Sequence, residues 1–78
     1  MTRPIATIAA DISRDWKKVN YAAVPYLRAM SCLNTRSDKY GEDDAIGIIV
    51  YFLANATSWR GVTAKAIKAE LRDIVHAP

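Results

Sequence analysis

The uncharged run AIGIIVYFLANATSW, residues 45–59, constrains this chain more than any other feature, because so apolar a segment has to be buried. Ile46, Ile49, Val50 and Leu53 fall at i, i+3, i+4 and i+7, and Ile48 and Phe52 add a second stripe at i and i+4. The spacing predicts a helix over residues 43–55 with two apolar faces, buried against all the other elements. Glu42, Asp43 and Asp44 stand where negative charge favours a helix N-terminus. The β-branched run Ile48, Ile49, Val50 and the nearby Gly47 leave a strand as the alternative, although a lone strand would have no evident partner elsewhere. As a helix the run rises only about 22 Å, short of a ~30 Å hydrocarbon core, so no membrane anchor is expected.

The rest of the chain supplies partners for that segment. Ile5, Ile8, Ile12 and Trp16, with Ala9 beside them, recur at helical spacing and predict an amphipathic first helix over residues 4–17. Asn20 and Pro25 interrupt it; Pro25 suits the first turn of a second helix over residues 24–33, with Val24, Leu27, Met30 and Leu33 inward. Residues 34–44 have no apolar periodicity and read as a loop around Gly41, part of it a single helical turn. A last helix restarts after NATSWRG, with Thr57 or Ser58 as candidate caps. Ala64, Ile67, Leu71, Ile74 and Val75 form its buried stripe, and its end falls near His76. The expected fold is all-α: a single domain, residues 1–78, of about four helices packed around a central apolar one.

Seventy-eight residues leave room for one domain only, close to the size at which a single core just offsets chain entropy. Asp11, Arg14 and Asp15 interrupt the N-terminal apolar positions before a signal-peptide core could form. A lone cysteine, Cys32, forms no internal disulfide, which fits a reducing bacterial cytoplasm. The formal charge of +3 gives a mild preference for anionic partners.

Chemistry-bearing constellations are scarce. His76 and Cys32 lie far apart in sequence, so no metal-ligand spacing and no activated nucleophile is expected, and Cys32 between Met30 and Leu33 reads as a small buried hydrophobe. The acidic run Asp38, Glu42, Asp43, Asp44 lacks the alternation of a calcium loop. Gly41, Gly47 and Gly61 are too scattered to cradle a phosphate. No cofactor, metal or enzymatic activity is expected.

What remains is basic. Lys65, Lys68 and Arg72 line up at i, i+3 and i+7 on the last helix, and Arg60 beside Trp59 extends the stripe toward the turn. About four phosphate contacts would give a salt slope near −0.9 per contact, a modest affinity. A solvated helix face is the plainer explanation of the charges, and a core anchor the plainer role for Trp59. If the chain binds a partner, Trp59, Arg60, Lys65, Lys68 and Arg72 form the expected contact surface, with the acidic turn 38–44 as second choice.

The segments DWKKVNYAAVPYLRAM, DKYGEDDA, YFLANATSWRG and AKAIKAELRDIV resemble, over nearly the whole chain, a family of short proteins of bacteriophages, prophages and bacterial genomes. In size, single-domain build and lack of catalytic groups the chain is also similar to anti-CRISPR proteins. That resemblance implies stoichiometric binding to a host protein or nucleoprotein complex, a CRISPR effector, and a block on its target DNA. The net positive charge departs from the acidic, nucleic-acid-mimicking members of that class. Two other roles fit the residues: a small DNA-binding transcriptional regulator using the last helix, and a structural or scaffold protein.

Overall fold

The computed structural model describes residues 3–77; Met1, Thr2 and Pro78, part of the domain expected over 1–78, lie outside the described residues. Four helices and one very short hairpin follow in the order α1 (Ile5–Asp15), α2 (Val24–Met30), β1 (Lys39–Tyr40), β2 (Asp43–Asp44), α3 (Ala45–Ala54) and α4 (Val62–His76).

Helix α1 starts after Pro4 and buries Ile5, Ile8, Ala9 and Ile12, the stripe its spacing predicts. Its first amides, which no earlier turn of helix can satisfy, donate to the carbonyls of Asn34 (from Ile5, 3.0 Å) and Leu33 (from Ala6, 2.7 Å). Helix α2 carries Pro25 in its first turn and closes at Met30, three residues before the expected end. The chain then tightens into turns, Cys32 N–H to the Ala29 carbonyl and Leu33 N–H to the Met30 carbonyl. This tightening advances each residue further around the axis than an α-helix would. Leu33 is thereby kept inside, while Cys32 is turned out and exposed, contrary to its expected burial. Val24 is only partly buried.

Residues 39–44, in the segment expected to be a loop, form a hairpin, preceded by a single turn over 35–38 in which the Asp38 amide donates to the Thr35 carbonyl at 3.0 Å. Lys39 pairs with Asp44 and Tyr40 with Asp43 across a two-residue turn. Gly41 has φ +64° and Glu42 a negative φ, the signs that a type II′ hairpin turn requires. The Asp38 carboxylate accepts from the Asn34 and Thr35 amides at 2.8 and 3.0 Å and fixes the approach to the hairpin. These contacts, Thr35 first, hold Asp38 below the ordinary carboxylate range.

Helix α3 begins at Ala45, with Asp44 as its N-cap accepting from the Gly47 amide at 2.7 Å. It buries Ala45, Ile48, Ile49 and Phe52, while Val50 and Tyr51 are 46% and 59% exposed. The helix is thus not buried all round. It packs on α2 and α4, and α1 packs on the same two, so the four helices make a ring with α3 as one side. Twenty buried apolar residues form one continuous core inside that ring. Helix α4 is capped by Gly61, without a side-chain cap from Thr57 or Ser58, both exposed. It buries Ala64, Ile67, Leu71 and Ile74, as its periodicity predicts, with Val75 at the margin. Among the described residues no helix is long and apolar enough to cross a membrane.

Candidate functional site

The loop between α3 and α4 sorts its residues by chemistry. Ala56 and Trp59 turn inward, and Arg60 and Gly61 stay at the surface. Trp59 is 2% exposed: its indole stacks on Trp16 with centroids 5.7 Å apart and meets the edge of Phe52 at 6.4 Å. The indole Nε1–H donates to the Asp15 carboxylate at 2.8 Å, joining the end of α1 to the loop before α4. Trp59 is therefore a core residue, and the exposed aromatic anchor considered from sequence is absent at this position. Gly61, with φ +119°, takes a conformation that side-chain-bearing residues rarely adopt and aims α4 away from the turn.

Lys68, one turn of helix beyond Ala64, reaches back over this loop. Its Nζ donates to the Trp59 carbonyl at 2.6 Å and lies 5.7 Å from the centroid of the indole ring. Burial first, then the positive charges of Arg72 and Arg60, hold Lys68 below the ordinary lysine value. The same three residues with Lys65, Gly61, Ala64 and Trp59 line a shallow, open depression of about 300 Å³. All five residues expected at the contact surface thus meet in one place, though in different roles. Trp59 forms the floor and Lys68 is spent partly on structure. Arg60, Lys65 and Arg72 stand exposed, with no ion pair among the described residues.

No acid lines this depression; Asp15, bonded to the Trp59 indole, stands beside it. Glu70 is engaged by Arg3, which reaches it with two guanidinium nitrogens at 2.8 and 3.0 Å and also pairs with Asp11. The Arg3 hydrogen bond, ahead of its charge, keeps Glu70 below the ordinary carboxylate range and raises the arginine in turn. Asp73 is exposed on α4. Among the described residues no three His, Cys, Asp or Glu side chains come together as a metal set.

A second, larger depression of about 730 Å³ was not anticipated as a cavity. Pro25, Tyr26 and Ala29 of α2, Tyr40 and the acids of the hairpin, and Gly47, Ile48 and Tyr51 of α3 line it. The acidic turn proposed as an alternative surface is split by the fold: Glu42, Asp43 and Asp44 line this groove, whereas Asp38 turns back on its own backbone. The tyrosines at 26, 40 and 51 were the available signal, but their sequence separation conceals that they converge.

No protein-family model, curated protein or solved structure matches the chain.

Proposed function

We propose that this chain is a non-enzymatic binding protein acting in the bacterial cytoplasm, most concretely a stoichiometric inhibitor of a CRISPR-class defence complex that blocks target DNA binding. One observation carries the basic face as the contact surface: Arg60, Lys65 and Arg72, without an ion pair among the described residues, surround a depression whose floor is already ordered by Trp59 and Lys68. Such a surface meets an acidic protein patch of an effector at little ordering cost beyond three side chains. The likeness to anti-CRISPR proteins in size, single-domain build and lack of catalytic groups supplies the choice of partner.

The test is a titration of purified effector complex with the chain, read as loss of target-DNA retention. Near-equimolar loss supports the proposal, and the double variant Lys65→Glu/Arg72→Glu, both exposed and without described partners, then fails to inhibit while keeping its melting temperature. Retained inhibition by that variant rejects the basic face. The exposed stripe on α4 also favours a DNA-binding regulator as a second role. That role requires retention of free DNA by the chain alone, depending on its sequence and falling with salt at about −0.9 per phosphate contact.

A further inference from the structure

We propose that the tyrosine-lined groove between α2, the hairpin and α3 is a docking site for an extended, arginine-bearing segment of a partner protein. This surface shares no residue with the basic face and stands independently of the function proposed above. The groove is made by two stacked rings on one wall, Tyr26 and Tyr51, with centroids 5.6 Å apart and planes inclined by 19°. Tyr51 is 59% exposed and Tyr40, on the hairpin, 47% exposed, so large aromatic faces remain open around the concavity. Pro25, Ala29 and Ile48 add an apolar lining, and the hairpin sets Glu42 and Asp43 at the rim with no ion pair among the described residues.

The charge chooses the occupant. Aromatic faces alone would suit a nucleobase as well as a cation, but carboxylates at the rim repel the phosphates that accompany every base. A guanidinium satisfies both parts of the lining at once: its plane stacks on tyrosine, and its fork of donors meets a carboxylate two bonds at a time. Asp44 is committed to capping α3, which leaves Glu42 and Asp43 as the groups that receive the cation. A volume of about 730 Å³ accommodates one or two such side chains with the intervening backbone.

The experiment is an amide NMR titration of the labelled chain with the peptide acetyl-Gly-Arg-Gly-Arg-Gly-amide, and in parallel with its citrulline counterpart, which keeps the shape and loses the charge. Shifts confined to the lining, Tyr26, Tyr40, Gly47 and Tyr51 among them, and absent with citrulline, support the proposal. Glu42→Gln/Asp43→Asn then weakens binding about fivefold or more and Tyr51→Ala about two- to fivefold. All three positions are exposed, and the amide dispersion of each variant reports that it is folded. Three outcomes overturn the proposal: no shift at millimolar peptide, equal shifts with citrulline, or a single-stranded oligonucleotide perturbing the same tyrosines.

Discussion

Replacing Trp59 by phenylalanine separates a core indole from an exposed contact residue. The substitution keeps a ring against Trp16 and Phe52 but reduces the two-ring indole to one ring and removes the Nε1–H that reaches Asp15 at 2.8 Å. Because Asp15 is exposed, the hydrogen bond falls toward the low end for a charged acceptor, about 1 kcal/mol. The gap left in a packed stack adds roughly 1–2 kcal/mol. The sum, about 2–3 kcal/mol, is a large share of the roughly 4–12 kcal/mol expected for a domain of this length, yet leaves it folded. At about 4–8 °C per kcal/mol the melting temperature drops by roughly 8–24 °C, followed by circular dichroism. A cycle with Asp15→Ala, which leaves no acceptor, isolates the hydrogen bond, and the two changes should couple by about 1 kcal/mol. A melting temperature unmoved by Trp59→Phe, or a coupling indistinguishable from zero, would refute the reasoning.

Three further outcomes follow from the same structure. Lys68 is held below its ordinary value of 10.5, so beneath that value the folded chain binds fewer protons than the unfolded one, and stability rises with pH through the interval. Melting curves from neutral pH to that value should show this rise in the native chain and a flatter profile in Lys68→Met; identical profiles would count against the assignment. Glu70 is depressed from 4.5 by Arg3, so its contribution is present above that value and disappears as acid takes the pH down through the folded pKa. Urea midpoints of the native chain and Glu70→Gln should therefore differ at neutrality and converge in acid, and a gap that persists in acid rules the linkage out. Gly61→Ala meets no atom within 4 Å but forces a side chain into φ +119°, a strain of about 1–3 kcal/mol; a melting temperature within a degree of the native chain would show that the loop relaxes instead.

The apolar periodicities of α1 and α4 could be read directly because polar residues interrupt them: Asp11 and Arg14 in one, Lys65, Glu70 and Arg72 in the other, leave a single face to bury. Helix α3 offers no such contrast. Every residue of AIGIIVYFLA is compatible with burial, so two stripes can be read: that of Ile48 and Phe52, with Ala45 and Ile49, is the buried one, whereas Ile46, Val50 and Leu53 of the other lie outside it. The Asp44 cap marks where the helix starts, and packing on α2 and α4 selects the buried face, which a helical pattern cannot reveal. Cys32 failed for a related reason, since tightening after Met30 moves one residue out while leaving its successor in. The basic stripe was legible because i, i+3 and i+7 share a helix face. The tyrosine groove was not, because its three rings come from α2, the hairpin and α3 and only the tertiary arrangement brings them together.

Arg3, whose guanidinium grips Glu70 across 67 residues of sequence, also shares a small depression with Ile74 and Ala77. Head and tail of the described chain are therefore next-door neighbours, and neither concave surface draws a residue from them. A surface-immobilised or fluorescently tagged version can be attached through either end with both grooves left open to solution.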